Sequence, residues 1–334
     1  MFAFKRHVVA NALAWTGIGT CLRRMPVWNG LVALCYHRIG IPDGVSLDRG
    51  VFSAAPEGFE AQVRLLKKNY DVVALPDLAD VLRRKKGRHV LITFDDGYRD
   101  NFDLAFPILR AQGVSATFFV GTGFLDRKVV SWWDEVAWMV RTSQRSEIAG
   151  SKWFSEPIHL ETSDREEAIR KLLTISKSLP ARSLDEFLGY LAAATGVFRF
   201  QPLDTPTMWM TWDMVRTMRA HGMVIGGHGA GHRIMGRLIR ADQEDELREC
   251  AGRLQAELGE PMRYFSYPEG STTSFNADTR AILEQLGVQY AFSFYGGYNR
   301  FEEWSPFDIR RVSVTMETAP ALFRAMLTAP HFFA

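Results

Sequence analysis

Short apolar runs alternate with amphipathic segments along the chain from residue 31 onward. The runs have the length of strands, whereas the segments between them repeat apolar residues at helical spacing, as in Phe59, Val63 and Leu66. This alternation is typical of parallel strands joined by crossover helices. It predicts an α/β fold, a distorted parallel (β/α) barrel of about seven strands. The predicted strand segments are Leu31–Tyr36, Val72–Leu75, Val90–Phe94, Val114–Val120, Met223–Ile225, Tyr264–Tyr267, Val288–Phe294 and Arg311–Val314.

The alternation lapses between about residues 138 and 208. Asp164–Leu179 and Leu184–Ala194 predict two helices with no strand between them. We interpret this stretch as a helical insertion and expect it to cover one side of the active site, since long excursions from a core are often lids or binding loops. The chain then divides into an N-terminal segment (1–27), a barrel that carries the insertion (28–316), and a C-terminal helix and tail (317–334).

The N-terminal segment carries two basic residues, Lys5 and Arg6, ahead of a mildly apolar stretch. Polar and glycine residues interrupt that stretch, which argues against a signal peptide and against a membrane span. Val8, Ala12 and Trp15 recur at helical spacing. This spacing is consistent with a helix on a membrane surface and equally with a helix packed on the domain.

Composition and cysteine usage exclude several classes of protein. The 334 residues have a formal net charge of only +2, which argues against a nucleic-acid partner that would need a basic face. The three cysteines, Cys21, Cys35 and Cys250, lie far apart and are odd in number, so they do not suggest a disulfide framework. We therefore expect a cytoplasmic protein, with the N-terminal segment as a point of peripheral contact with the inner face of the membrane.

Two adjacent carboxylates, Asp95 and Asp96, follow the predicted strand Val90–Phe94 and precede a glycine. Active sites of parallel α/β folds lie at the carboxyl ends of the strands, which makes both residues candidates for catalysis. An Asp-Gly turn with no function is the alternative.

A second candidate group is the pair His228 and His232, which follows another predicted strand. Two imidazoles four residues apart share one face if the segment is helical, so both can point at one ion. Together with a carboxylate they form a three-ligand set that leaves positions open for water and substrate. Zn²⁺ is the divalent ion that this set suggests first. One of two neighbouring carboxylates can then bind the metal while the other accepts a proton.

These motifs resemble the polysaccharide deacetylase family, the NodB-homology carbohydrate esterases. The resemblance extends from about residue 32 to about residue 314. It implies that Asp95 is the catalytic base, and that Asp96, His228 and His232 hold the metal.

A third segment, Phe265–Gly270, resembles the aromatic family motif that ends in Pro-x-Gly and lines the substrate groove. The resemblance places Tyr267, Pro268 and Glu269 beside the substrate, with the backbone N–H of Glu269 as the donor to the oxyanion. A Pro-Gly turn after a strand is the alternative.

The sequence departs from the common family pattern at the catalytic acid. The pattern has a Leu-x-His motif near the C-terminus, where this chain offers only His331, almost at its end. His37, after the first predicted strand, instead resembles the arrangement in poly-N-acetylglucosamine deacetylases, whose motif order is permuted. That resemblance implies that His37 protonates the departing amine, while a structural histidine at a strand end is the alternative.

A second departure concerns the residue that pairs with the base. Ser266 stands where the family usually has an arginine, and Arg311 from the last predicted strand is the candidate to replace it. An arginine in a surface ion pair is the alternative. Trp133 is a candidate stacking surface for a sugar ring, although neighbouring aromatic residues more often belong to a core.

These residues together predict metal-dependent hydrolysis of N-acetyl groups on an amino-sugar polymer or a lipid-linked saccharide. Two alternatives remain: hydrolysis of another C–N bond, such as a formamide or small amide, and a catalytically silent sugar-binding scaffold. The sequence does not specify the saccharide, its linkage, the metal or the oligomeric state.

Overall fold

A computed structural model describes residues 28–127, 129–161, 163–199 and 208–334 of the chain. Seven parallel strands of one sheet lie side by side in the spatial order β6-β5-β4-β3-β2-β1-β7. A parallel bridge between Phe292 and Ile309 joins β6 to the segment that leads into β7, so the sheet is a nearly closed barrel. This confirms the predicted fold. The strands are β1 Gly30–Tyr36, β2 Arg88–Phe94, β3 Thr117–Val120, β4 Val224–Gly227, β5 Tyr264–Ser266, β6 Tyr290–Phe292 and β7 Arg311–Ser313.

The barrel strands are apolar on both faces because both faces are covered. Every residue of β1 is buried. Leu31 and Ala33 of β1 pack in one hydrophobic cluster with Phe119 and Phe292 from other strands. The alternate residues of β1 belong to a second cluster, shared with the surrounding helices. Such double burial is the reason that the strands appear in the sequence as continuous apolar runs.

Helices surround the barrel. They are α1 Pro56–Asn69, α2 Leu78–Arg84, α3 Phe106–Gln112, α4 Thr122–Arg127, α5 Trp132–Thr142, α6 Arg165–Ser178, α7 Leu184–Thr195, α8 Trp212–Ala220, α9 Arg240–Leu258, α10 Ala277–Gln285, α11 Pro320–Thr328 and α12 Pro330–Phe333. A π-helical turn, Asn101–Ala105, precedes α3. No helix in the described ranges has the length and apolarity needed to cross a bilayer.

Several short elements lie outside the barrel. The predicted strand Val72–Leu75 is shorter than expected: Asp71–Val72 pairs with the start of β2, and a 3-10 helix begins at Leu75. Pro76 is at the start of this 3-10 helix, where its missing N–H would have no helical acceptor. The other short strands form two pairs, Arg38–Ile39 with Phe52–Ala54 and Glu147–Ile148 with Ile158–His159. Further 3-10 helices are Arg49–Val51, Ala181–Ser183, Met235–Arg237 and Phe301–Glu303.

The insertion has a hydrophobic core of its own. Both predicted helices are present, as α6 and α7. Leu172 of α6 and Leu188 of α7 pack against Val136 and Val140 of α5 in a cluster separate from the barrel core. The core of the insertion therefore begins within α5, ahead of residue 138. The interfacial helix and Cys21 fall in residues 1–27, outside the described residues, whereas Cys35 and Cys250 are buried free thiols.

Candidate active site

The candidate residues follow the carboxyl ends of barrel strands. His37 comes directly after β1, Asp95 and Asp96 after β2, His228 after β4, and Tyr267 after β5. Parallel strands bring these ends to one rim of the barrel. All five residues line one cavity of about 260 Å³ at that rim.

Asp96, His228 and His232 form the candidate metal centre. The Nε2 atoms of His228 and His232 lie 3.4 Å and 3.3 Å from Asp96 Oδ1. The three side chains are buried, and one ligand atom of each lies within 4.8 Å of the others. Atoms that bind one tetrahedral ion at about 2.1 Å are about 3.4 Å apart. The spacing therefore suits a shared ion.

The electrostatics of Asp96 also fit a cation. Its Oδ1 is buried and has no well-aligned hydrogen-bond donor in the part of the chain that the structure describes. A buried carboxylate oxygen without a donor is costly, and a divalent ion would offset that cost. Burial raises the pKa of Asp96, but interaction with His228 and His232 outweighs burial and holds the pKa well below its usual range.

A backbone carbonyl fixes the orientation of His228. Its Nδ1 lies 2.8 Å from the carbonyl oxygen of Ser266. A carbonyl only accepts, so Nδ1 carries the proton and the Nε2 lone pair is left for a metal. This is the partner that metal-binding histidines usually have.

The segment 228–232 is a loop, not the helix that would give the two imidazoles a shared face. Gly229 and His232 have φ values of 80° and 53°, which a right-handed helix excludes. The Glu246 carboxylate accepts from the backbone N–H of Gly231 at 2.6 Å and lies 3.4 Å from that of Arg233. Glu246, a buried residue of α9 that sequence reasoning missed, thus stabilises the ligand loop.

Arg311 and Asp95 form a fully buried ion pair. Nη1 and Nη2 of Arg311 lie 2.6 Å and 2.7 Å from the two carboxylate oxygens of Asp95. The Ser266 hydroxyl donates to the same carboxylate at 3.1 Å. Burial raises the pKa of Asp95, but Arg311 and then His228 outweigh burial and lower that pKa to about 2. Asp95 is therefore ionised at neutral pH, as a general base must be.

His37 lies at the same rim, partly exposed to the cavity. One atom each of His37, Cys35 and Asp95 lies within 4.8 Å of the others. The ring of Phe294 packs edge-on against the imidazole at 5.5 Å. Burial lowers the pKa of His37 against the opposing effect of the carboxylates. A lower pKa makes the protonated imidazole a stronger acid.

The Pro-x-Gly segment forms a tight turn beside the candidate metal centre. Glu269 has a φ of 65°. Its carboxylate accepts hydrogen bonds from the backbone N–H of Ser271 and the hydroxyl of Ser274, so it is not positioned to act as an acid or a base. The Glu269 backbone N–H donates to no other described residue. Tyr267 stacks on Phe275 at 3.9 Å, and its hydroxyl donates to a backbone carbonyl.

The aromatic wall of the cavity comes from the start of α5. Trp133 is almost fully buried and packs 4.5 Å from the ring of His232, so it supports a candidate metal ligand. Trp132 beside it is more exposed and also lines the cavity. Leu173 and Lys177 of α6 line the same cavity. One side of the cavity is thus formed by the insertion.

A buried carboxylate, that of Asp134, connects this aromatic wall to neighbouring segments through hydrogen bonds. Asp134 is fully buried and accepts hydrogen bonds from Ser131 Oγ at 2.7 Å and Tyr98 Oη at 3.2 Å. It also accepts from the backbone N–H of Asp48 at 2.9 Å. The Trp133 indole donates to the same Tyr98 hydroxyl at 2.8 Å.

We expect Asp134 to make the stability of the protein depend on pH. Burial raises the pKa of Asp134 from 3.8 to about 6, so the folded state binds a proton more tightly than the unfolded chain does. This contribution is present below the unfolded pKa and is lost as pH rises through the folded pKa. Relative to Asp134→Asn, the wild-type free energy of unfolding should fall by about 3 kcal/mol between about pH 3 and about pH 7. Urea unfolding of both proteins across this range measures the difference. If their free energies of unfolding changed with pH in the same way, the raised pKa of Asp134 would be contradicted.

A parallel barrel with two histidines, an aspartate and a second, ionised carboxylate at its rim is the arrangement of a metal-dependent hydrolase. The family model described as polysaccharide deacetylase matches residues 83–174 and 180–291, more than half of the chain. The chain therefore belongs to the polysaccharide deacetylase family.

Individual relatives are similar over shorter stretches. The poly-beta-1,6-N-acetyl-D-glucosamine N-deacetylase of Escherichia coli (strain K12) is 26% identical over 146 residues, covering 38% of this chain and 21% of that protein. YxkH of Bacillus subtilis (strain 168) is 32% identical over 94 residues, covering 27% of this chain and 31% of that protein. The chain thus spans a third or less of the curated relatives it matches.

Solved structures share the fold over most of the chain. The Streptococcus pyogenes deacetylase PplD, solved in complex with acetate, has a TM-score of 0.57 at 15% identity, covering 87% of this chain and 95% of that one. IcaB from Ammonifex degensii has a TM-score of 0.56 at 21% identity, covering 90% and 98%.

Proposed function

We propose that this protein hydrolyses N-acetyl groups on an amino-sugar polymer or a lipid-linked saccharide, with Zn²⁺ as its metal. The observation that carries the proposal is the convergence of the Asp96, His228 and His232 ligand set with the ion pair of Asp95 and Arg311 in one cavity. Family membership and the similarity to the E. coli deacetylase support the substrate class.

The bound ion would act as a Lewis acid on the acetyl carbonyl and lower the pKa of water at the site. Asp95 accepts the proton of the attacking water, because Arg311 holds its carboxylate ionised. The backbone N–H of Glu269 donates to the oxygen that gains negative charge. His37 then gives its proton to the departing amine. It lies at the carboxyl end of β1, on the same rim of the barrel as Asp95.

Acetate release tests this function directly. We expect acetate release from chito-oligosaccharides or lipid-linked amino sugars, and no release of amine from simple formamides or small amides. Removing the metal with a chelator should lower the rate by about 10³-fold, since metal-ion catalysis contributes several kcal/mol. Added Zn²⁺ should restore it. His228→Ala should bind less metal and resist that rescue.

Other outcomes identify the alternatives. Turnover of a formamide or small amide without acetate from any sugar would favour another C–N hydrolase. Stoichiometric metal without turnover of any amide would favour the sugar-binding scaffold.

A further inference from the structure

The cavity has a carboxylate that the proposed reaction does not use. Asp48 lies on the loop between β1 and α1, and its side chain lines the cavity together with His37 and Asp95. Only 8% of Asp48 is exposed, so its carboxylate is almost entirely removed from bulk water. A buried charged group is expensive unless it has partners, and this one therefore requires an explanation.

Two hydrogen bonds fix the position of Asp48. Its backbone N–H donates to Asp134 Oδ1 at 2.9 Å, and its own Oδ1 accepts from the backbone N–H of Gly50 at 2.8 Å. The second bond makes Asp48 the N-cap of the 3-10 helix Arg49–Val51. Because Asp134 also accepts from Ser131 and Tyr98, Asp48 is attached to a rigid, buried network rather than to a free loop.

The N-cap accounts for only one of the two carboxylate oxygens. Within the described ranges, Oδ2 of Asp48 has no hydrogen-bond or ion-pair partner. Serine, threonine or asparagine would cap the helix equally well without a buried charge. Lys177 lines the same cavity but forms no ion pair with Asp48. The second oxygen is thus a strong acceptor, fixed in a cavity that already contains the proposed acetamide site.

We propose that Asp48 is a specificity residue that binds hydroxyl groups of the sugar ring that carries the acetamido group. This inference rests on the proposed function and extends it to the recognition of the sugar. Sugar hydroxyls are neutral donors, and a hydrogen bond to an ionised acceptor is about twice as strong as one between neutral groups. The partly exposed ring of Trp132, which lines the same cavity, offers apolar surface for the sugar ring itself. Asp48 thereby selects a hydroxylated sugar over a simple amide.

The test compares Asp48→Ser with wild type on acetylated oligosaccharides and on their analogues that lack one ring hydroxyl. Serine keeps an oxygen for the Gly50 N–H and removes the second acceptor. We expect KM to rise about 10- to 100-fold with little change in kcat, because the lost contact exists equally in the ground and transition states. The matched control is Asp43→Ser, an exposed aspartate of the same loop that lies outside the cavity, and it should leave KM unchanged.

The deoxy analogues separate recognition from structure. One analogue should lose about 10- to 100-fold in kcat/KM with wild type and lose little further with Asp48→Ser, since the two changes remove the same bond. Equal losses for every analogue in both proteins would overturn the inference while leaving the deacetylase function intact. If wild type released no acetate from any sugar, the proposed function would fail, and the inference with it.

Discussion

Asp95→Asn is expected to lower acetate release by about 10³-fold while the protein still binds its metal. Asparagine cannot accept the proton of the attacking water, and the loss of a general base typically costs 10²- to 10⁴-fold. Asp96, His228 and His232 keep their ligand atoms in this variant. Metal analysis and single-turnover acetate release on the same preparation therefore measure the two roles separately.

The control for Asp95→Asn is Cys35→Ala. The Cys35 thiol lies 3.6 Å from Asp95 Oδ2, so this change touches the same carboxylate without altering its charge. We expect it to retain activity within several-fold of wild type. Full activity in Asp95→Asn would show that another group accepts the proton. Loss of the metal in that variant would show that Asp95 belongs to the ligand set.

The barrel and the position of the site could be predicted because both depend on local patterns. Strands buried on both faces give apolar runs in any parallel barrel, and the residues that follow these runs must lie at one rim. Asp95, Asp96 and His37 each come directly after such a run, and the structure brings them to one cavity. The proximity of these three residues follows from the topology of the strands alone.

The residues that support the site could not be predicted in this way. Glu246 lies on α9 among other charged residues and looks like part of a solvated helix face, yet its carboxylate binds the His228–His232 loop. Asp134 and Asp48 are 86 positions apart and meet only through tertiary packing. A sequence does not reveal such pairs, because each residue alone fits an exposed position equally well. The loop conformation of residues 228–232 could not be predicted for a related reason, since Gly229 permits a left-handed turn without requiring one.

Arg311 lies between these two cases. Its type and its place in the last strand suggested a partner for the base, but only the structure shows that its side chain is fully buried in the barrel. There it also donates to the Ser266 hydroxyl at 2.7 Å and to the carbonyl of Ser293 at 3.0 Å. Ser266 thus leaves room for an arginine that comes from β7 instead of from β5.

Arg311→Met is expected to destabilise the protein by about 3 to 5 kcal/mol and to abolish turnover. Removing one partner of a buried ion pair leaves the other charge uncompensated, and Asp95 is only 2% exposed. Without the guanidinium, the effect of burial on Asp95 is opposed only by the histidines, so the pKa of Asp95 rises and the ionised base is less stable. Urea unfolding of the metal-free protein measures the loss of stability without the contribution of the ion.

The double variant Arg311→Met with Asp95→Asn decides whether the loss arises from the unpaired charge. Methionine and asparagine leave no buried ion, so the double variant should be more stable than Arg311→Met alone by about 2 kcal/mol or more. It should remain inactive, because it has no base. If the two changes instead destabilised the protein additively, the cost would come from lost packing around the guanidinium. The ion pair would then keep Asp95 ionised without adding to the free energy of unfolding.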